Sequence, residues 1–177
     1  MKRSGLILYG APATGKDTIT SALSQLDARF RLFERLKSGP GRTVGYRMTD
    51  DAELDRLARS DELVWINERY GARYAIDRPG LEILVGADLV PVIHAGQPEV
   101  IDALRSAVPD VEWTVVQLQC DLETATARII DRGTGDIAER LAARDATPTI
   151  SADLTVHTDS VEPDAAARLI LTAQSRC

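Results

Sequence analysis

A glycine-rich segment near the N-terminus has the residue types and spacing of a phosphate-binding loop. Gly10, Gly15 and Lys16 give the spacing G-x-x-x-x-G-K, directly after a short apolar run. In such a loop the backbone N–H groups point at phosphate oxygens, and the lysine stabilises charge on the transferring group. The alternative is an ordinary strand-to-helix turn. We expect the loop residues to bind the phosphate groups of a ligand: Gly10, Ala11, Pro12, Ala13, Thr14, Gly15, Lys16, Asp17 and Thr18.

The residue after the lysine departs from the usual motif, which has Ser or Thr there. This chain has Asp17, followed by Thr18. A carboxylate beside bound phosphates is repelled unless Mg²⁺ lies between them. The sequence therefore predicts Mg²⁺ as a cofactor, with Asp17 as a direct or water-mediated ligand and the Thr18 hydroxyl as a second candidate. Alternatively, Asp17 only complements the helix dipole.

A basic segment forms a second candidate site. Between Arg29 and Arg47 there are six basic residues and one acidic residue, in a chain whose net charge is −6. The segment contains Gly39-Pro40-Gly41, a rigid turn that can present side chains to an anionic ligand. The alternative is a solvated helix face. The basic residues are Arg29, Arg31, Arg35, Lys37, Arg42 and Arg47.

The elements that position these residues alternate as a parallel α/β sheet requires. A buried strand at 6–9 precedes the loop and an amphipathic helix at 18–26 follows it. The pattern is irregular from 29 to 76, which suggests an inserted substructure, and regular afterwards. Further strands are predicted at 63–67, 73–76, 88–93, 113–118 and 154–157. Further helices are predicted at 51–59, 79–85, 98–107, 122–130, 136–144 and 163–173, with Pro79, Pro98 and Pro163 at helix starts.

Composition narrows the class of protein. The 177 residues are 44% hydrophobic and 27% charged, which fits one compact domain. The longest apolar stretch, 81–95, contains Glu82 and Asp88, and the apolar run after the basic N-terminus is too short for a signal peptide, so we expect no membrane partner and a cytoplasmic location. The negative net charge argues against nucleic acid as a partner. Two cysteines and two histidines are too few for a disulfide framework or a zinc site.

Several segments together resemble the guanylate kinases in order and spacing. They are the loop from Gly10 to Thr18, the basic segment 35–42 followed by Gly45-Tyr46, the segment 68–74, and the segments 128–133 and 137–141. The resemblance covers nearly the whole chain. A related group, the bacterial ribose 1,5-bisphosphate phosphokinases, is also similar to this chain, through its Gly-Lys-Asp-Ser/Thr loop.

The resemblance implies a nucleoside-monophosphate-kinase-like P-loop fold, a three-layer α/β sandwich with a parallel core sheet. It implies a single kinase domain over residues 1–177, with a core at 1–28 and 79–177, an acceptor-binding insert at about 29–78 and a lid at about 128–144. ATP and Mg²⁺ would be the cofactors, and a small-molecule phosphate acceptor would be the partner. Both a monomer and a homodimer are compatible with it.

The resemblance also assigns roles by position. Arg35 or Lys37, together with Arg42, would contact the acceptor phosphate, with help from Tyr74 and Tyr46. Glu68 lies where the guanylate kinases have an acceptor-binding carboxylate. The lid arginines would surround the ATP phosphates, and Gly133-Thr134-Gly135 would be their hinge, although intervening acidic residues also allow ordinary surface pairs. These arginines are Arg128, Arg132 and Arg140, with Arg144 as a further candidate.

Two departures argue against guanine as the acceptor base. Where the guanylate kinases have a guanine-reading Glu, this chain has Arg42, and where they have Ser or Thr, it has Ala75-Ile76. A guanidinium group only donates hydrogen bonds, so it cannot accept those that guanine offers. An additional arginine instead suits an acceptor rich in phosphate or carboxylate.

His94 completes the set of candidate catalytic residues, with Lys16, Arg128, Arg132 and Arg140. It follows a predicted strand, near where the guanylate kinases place a carboxylate. Its imidazole can orient the acceptor oxygen, accept a proton, or simply be a satisfied polar group at a strand end.

The expected function is therefore an ATP-dependent transfer of phosphate to a small anionic acceptor, such as ribose 1,5-bisphosphate or a nucleoside monophosphate. A specialised kinase of a small-molecule or antibiotic pathway would share the same donor site. A non-catalytic guanylate kinase-like module is the alternative from another class. Such a module would be expected to have a degraded phosphate loop, whereas Gly10, Gly15 and Lys16 are all present.

Overall fold

The computed structural model describes residues 3–69 and 71–175. Its strands are β1 (Arg3–Tyr9), β2 (Phe30–Leu32), β3 (Arg35–Ser38), β4 (Tyr46–Met48), β5 (Leu63–Arg69), β6 (Ala72–Asp77), β7 (Val90–Ala95), β8 (Val111–Gln119) and β9 (Leu154–His157). Its helices are α1 (Lys16–Leu26), α2 (Asp51–Arg59), α3 (Arg78–Gly86), α4 (Glu99–Ala107), α5 (Leu122–Asp131), α6 (Ile137–Asp145) and α7 (Pro163–Gln174).

Five parallel strands form the core sheet, in the order β2-β7-β1-β8-β9. β1 lies in the centre, where Leu6 pairs with Val92 of β7 on one side and with Thr114 of β8 on the other. From Gly5 onward every residue of β1 is buried. A continuous apolar run of this kind is typical of a parallel strand that is covered on both faces.

Helices cover both faces of the core sheet. Leu6 and Leu8 pack with Leu23 of α1 and Ile170 of α7 on one face. Ile7 lies on the other face, in a cluster that includes Leu81 of α3 and Leu104 of α4. Successive residues of β1 thus point into opposite helical layers. The predicted three-layer α/β sandwich with a parallel core sheet is confirmed.

A second, four-stranded sheet has the order β4-β3-β6-β5. β3 is parallel to β4 and antiparallel to β6, and β5 and β6 are antiparallel neighbours. Helix α2, which was predicted with the bounds it has, packs on one face through Leu54 and Leu57 against Leu36 and Ala75. The division into core, insert and lid stays a prediction, and β2, inside the predicted insert, pairs with β7 of the core sheet.

Two details of the helices bear on the sequence predictions. Pro79 and Pro163 lie in the first turns of α3 and α7, as expected. The prediction for Pro98 was wrong by one position, because Pro98 is the N-cap of α4 and the helix begins at Glu99. Of the helices that the structure describes, none combines the length and the apolar character needed to cross a bilayer.

Candidate active site

The phosphate loop joins β1 to α1 and has a tightly constrained backbone. Gly15 is the N-cap of α1 and has φ of +88°, in the left-handed region that glycine tolerates best. Gly10 packs against β8 so closely that a Cβ there would lie 2.6 Å from the carbonyl oxygen of Leu118. Both glycines are therefore required by the fold of the loop, as the motif predicts.

Lys16, the first residue of α1, folds back over the loop. Its Nζ donates hydrogen bonds to the carbonyl oxygens of Gly10 at 2.6 Å and Ala11 at 2.8 Å. The pKa of Lys16 is lowered to about 7, chiefly by burial; Asp17 opposes the shift, and the nearby Arg35 and Arg132 contribute to it. An anion that contacts Nζ would relieve this cost, because it stabilises the charged form of the lysine.

Asp17 lies where side chains from three parts of the chain meet. Its carboxylate is 3.2 Å from Nη2 of Arg132, 3.6 Å from Nη1 of Arg42 and 3.6 Å from Nδ1 of His94. Its side chain is 47% exposed, so it remains accessible to a ligand in solution. Asp17 therefore connects the phosphate loop with the basic segment and with the end of α5.

His94 is fixed by a hydrogen bond to α1. The Thr20 hydroxyl donates its one proton to the Lys16 carbonyl at 2.8 Å, so Nε2 of His94, 2.7 Å from the Thr20 oxygen, is the donor in that contact. Burial and then the charge of Lys16 lower the pKa of His94 to about 3. His94 is consequently neutral near pH 7, and its Nδ1 can accept a hydrogen bond from a ligand.

A cavity of about 630 Å³ runs from the phosphate loop to the second sheet. Ten of the charged or aromatic side chains that the sequence predicts for the site line this cavity. They are Lys16, Asp17, Arg35, Lys37, Arg42, Tyr46, Tyr74, His94, Arg132 and Arg140.

Lys37 supports the turn that carries Arg42. Although Lys37 is only 1% exposed, its Nζ donates to the carbonyl oxygens of Pro40 at 2.6 Å and Arg42 at 2.7 Å. The same Nζ lies 5.6 Å from the ring centroid of Tyr46 and 5.7 Å from that of Tyr74. Two of the three ammonium donors are thus used within the protein.

Arg35 is placed between the two sheets. One of its Nη atoms donates to the carbonyl oxygen of His94 in the core sheet, while its own strand, β3, belongs to the second sheet. Burial lowers the pKa of Arg35 to about 10, and the nearby Arg69 adds to that shift. Arg35 stays cationic near neutral pH and faces the cavity.

The predicted lid arginines take different positions. Arg132 reaches Asp17, and Arg140 lines the cavity while its Nε donates to Asp136 at 2.7 Å. Arg128 instead binds the carbonyl oxygens of Ala13 and Thr158, at 3.2 and 2.7 Å, and so braces the phosphate loop against the segment after β9. Arg144 donates to the carbonyl oxygen of Cys120 at 2.6 Å.

Five predicted site residues do not line this cavity, and two of them, Ala11 and Arg144, line the second cavity described below. Arg128 is held as described above, and Thr18 is exposed on the outer side of the first turn of α1. Glu68 is also exposed, because side chains alternate along β5 and those of Asn67 and Arg69 face the cavity instead. The side chain that the guanylate kinase resemblance suggested thus lies on the face of this strand opposite to the cavity.

Asn67 and Arg69 line the cavity but were not predicted from the sequence. The period-two pattern of the segment 63–69 was the available signal, but it does not reveal which face of a strand meets the cavity. Asp136 and Gln97 were missed as well, because they follow elements whose ends converge only in the folded chain.

A second cavity of about 410 Å³ adjoins the phosphate loop at the ends of β8 and β9. Its lining includes Gln117, Cys120, Arg144, His157 and Asp159. Both cavities thus lie at the carboxyl ends of the parallel strands, which is where ligands bind in open α/β sheets.

Comparison with known proteins supports the fold. No family model and no curated protein sequence matches this chain. Among solved structures, a guanylate kinase from Anaplasma phagocytophilum matches 99% of this chain and 87% of its own, with a TM-score of 0.62 and 15% identity. A sugar kinase from a Janibacter species matches 98% of this chain and 95% of its own, with a TM-score of 0.57 and 16% identity.

At this level of identity the similarity concerns the fold. The chain has the guanylate kinase-like P-loop kinase fold. The resemblance that the sequence motifs suggested is confirmed at this level.

Proposed function

We propose that this chain is an ATP-dependent phosphotransferase that moves the γ-phosphoryl group of ATP to a small anionic acceptor, such as ribose 1,5-bisphosphate or a nucleoside monophosphate. The main support for this proposal is that a single cavity joins the phosphate loop to a cationic face of the second sheet. A donor nucleotide at the loop and an acceptor at the second sheet would then meet near Lys16 and Asp17.

The charges of the cavity support two anionic ligands. Seven basic and two acidic side chains line it. The acidic ones, Asp17 and Asp136, are already paired with arginines. Within the described part of the chain, neither Arg35 nor Arg69 forms an ion pair. Polyanionic ligands would balance this excess, because phosphate groups match the guanidinium fork well.

The proposed step needs positive charge rather than a strong base. An oxygen of the acceptor attacks the γ-phosphorus of ATP, a new O–P bond forms, the bond to the β,γ-bridging oxygen breaks, and ADP leaves. Lys16 and Arg132 would stabilise the charge on the phosphoryl oxygens. A phosphate acceptor has already lost its proton near pH 7, so no base is needed. The Nδ1 of the neutral His94 can instead accept a hydrogen bond from a hydroxyl group of the acceptor and so orient it.

The residues present fit a Mg²⁺ ion that arrives with ATP. Mg²⁺ usually binds one or two carboxylates together with substrate phosphates and water, and Asp17 offers such a carboxylate beside Lys16. Thr18 is less suited, because it does not line the cavity. When bound, Mg²⁺ would neutralise part of the charge of the phosphate groups.

The test measures ADP release with ATP and Mg²⁺ against ribose 1,5-bisphosphate, GMP, AMP, other nucleoside monophosphates and unphosphorylated nucleosides. Lys16→Ala should lower turnover about 100-fold or more, because it removes the cation nearest to the transferred group. Arg31→Ala is the matched control, since Arg31 is exposed and lies outside both cavities. Thermal unfolding measurements then check that both variants are folded.

Full activity of Lys16→Ala would contradict the proposal. Binding of ATP by the wild-type protein with no turnover on any acceptor would point instead to the non-catalytic module. Turnover on GMP would show that Arg42 is compatible with guanine recognition.

A further inference from the structure

Two neighbouring side chains of β5 face the cavity and have no role in the reaction as described so far. Asn67 and Arg69 are two residues apart, so both point to the same side of the strand, and Glu68 between them points away. In the second sheet Tyr74 pairs with Asn67 on one side and with Lys37 on the other. These three residues therefore form one row across the floor of the cavity.

Asn67 has an unsatisfied hydrogen-bond acceptor. Its Oδ1 is buried and, among the residues that the structure describes, has no partner. Buried polar atoms without partners are rare in folded proteins and are costly. A hydroxyl or N–H group of a ligand in the cavity would satisfy this oxygen.

Arg69 has an unbalanced positive charge. Arg35 faces the same cavity, and the charge of Arg69 contributes to lowering the pKa of Arg35. No ion pair of Arg69 occurs in the described ranges 3–69 and 71–175. Arg35 and Arg69 face the same cavity, and neither has a carboxylate partner among the described residues. Two such cations favour the binding of an anion between or beside them.

The position of Arg69 separates it from the transfer step. Arg35 donates to the carbonyl oxygen of His94 in the core sheet, whereas Arg69 is the last residue of β5, an edge strand of the second sheet. A ligand group at Arg69 would belong to the part of the acceptor farther from the transferred phosphoryl group.

We propose that Asn67 and Arg69 form a specificity subsite, in which Asn67 accepts a hydrogen bond from a hydroxyl of the acceptor and Arg69 binds a second anionic group. The inference rests on the proposed function, since it concerns the acceptor of that reaction. A guanine ring fits less well, because both carboxylates that line the cavity are already paired with arginines.

Calorimetric titration tests the subsite without requiring turnover. The probes are ribose 1,5-bisphosphate, ribose 5-phosphate, which lacks the second phosphate, and GMP. The wild-type protein should prefer the bisphosphate. Arg69→Met should weaken bisphosphate binding about tenfold or more and leave ribose 5-phosphate unchanged, because only the bisphosphate has a group for Arg69.

Two further variants separate the roles of the two residues. Asn67→Ala should weaken both sugar phosphates severalfold, since both have hydroxyl groups. Arg59→Met is the matched control, since Arg59 of α2 is exposed and lies outside both cavities, and it should change neither affinity. Arg69→Lys keeps the positive charge but loses the paired donors of the guanidinium group, so it should give an intermediate affinity. Such a graded effect would show that the loss in Arg69→Met is not caused by a folding defect.

The outcomes distinguish this inference from the proposed function. Loss of the bisphosphate preference in Arg69→Met supports the subsite even if no phosphoryl transfer is detected. An equal loss for both sugar phosphates, no preference in the wild-type protein, or a loss confined to GMP would overturn it. Failure of Lys16→Ala to reduce turnover, in contrast, would affect only the proposed reaction.

Discussion

The core sheet and the second sheet are stabilised in different ways. On each face of the core sheet, apolar side chains of the strands and helices form a cluster of fourteen buried residues among those described. The cluster between α2 and the second sheet contains four. The core sheet has helices on both faces. The second sheet has α2 on one face. Its other face packs partly on the core through Ile76 of β6, and the rest of that face lines the cavity with charged and polar side chains.

Ion pairs supplement the small apolar cluster of the second sheet. Arg47 of β4 pairs with Asp77 at the end of β6 and lies over the ring of Phe33, at 5.2 Å from its centroid. Arg73 on the α2 side pairs with Asp51 and Asp55 of that helix. A sheet face that is used for ligand binding contributes little apolar burial. Ion pairs therefore add to the contacts that hold the strands of the second sheet in place.

Removing one leucine from each region is the strongest test of this comparison. Leu23 of α1 and Leu54 of α2 are both completely buried. Leu23→Ala should lower the free energy of unfolding by about 3–5 kcal/mol, since the dense core cannot collapse around the space left by the lost side chain. Leu54→Ala should cost less, about 2–3 kcal/mol, because the thin layer beneath the second sheet can adjust. Denaturant unfolding measures both values.

Amide hydrogen exchange shows where each loss occurs. Leu23→Ala should reduce protection in both sheets, because it weakens the whole fold. Leu54→Ala should reduce protection mainly in β3, β5 and β6 and leave β1 protected. Equal loss of protection in β1 for the two variants would mean that the two sheets unfold as one unit, and the comparison would fail.

The junction between the two regions gives the next largest effect. Asp77 ends β6, caps α3 by accepting the N–H of Gly80 at 2.9 Å, and pairs with Arg47. Asp77→Ala should lower the free energy of unfolding by about 2–3 kcal/mol, because it removes a helix cap and leaves Arg47 without its carboxylate. Chemical denaturation measures the change.

A conservative substitution separates the two contributions of Asp77. Asp77→Asn keeps an oxygen that can cap α3 but loses the charge, so it should be less destabilising than Asp77→Ala. If the two variants were equally unstable, the ion pair with Arg47 would account for the whole effect. The cap at Gly80 would then contribute nothing measurable.

The sequence predicted the core better than the cavity, for physical reasons. The buried strand at β1 and the loop after it depend on local patterns, an apolar run and two glycines beside a lysine. The strands β2, β3 and β4 have three or four residues each, too few to show a period, and were not predicted.

The side of each strand that faces the ligand depends on tertiary packing. Glu68 was expected at the acceptor because of its place in a motif, whereas the pairing of β5 with β6 turns Asn67 and Arg69 toward the cavity instead. Similarly, the spacing of the lid arginines did not reveal that Arg128 would bind backbone carbonyl groups. A residue type can be predicted locally, but its partner is determined by the folded chain.

The smallest effect is expected for the exposed ion pairs of α2. Arg73 is 2.9 Å from Asp55 and 3.2 Å from Asp51, and both carboxylates are more than half exposed. Because water screens such pairs, Arg73→Ala should lower the free energy of unfolding by less than about 1 kcal/mol, and added salt should reduce the difference. Denaturant titrations at low and high salt measure it. A loss as large as that of Leu54→Ala would show that ion pairs, rather than the four buried residues, hold α2 against the second sheet.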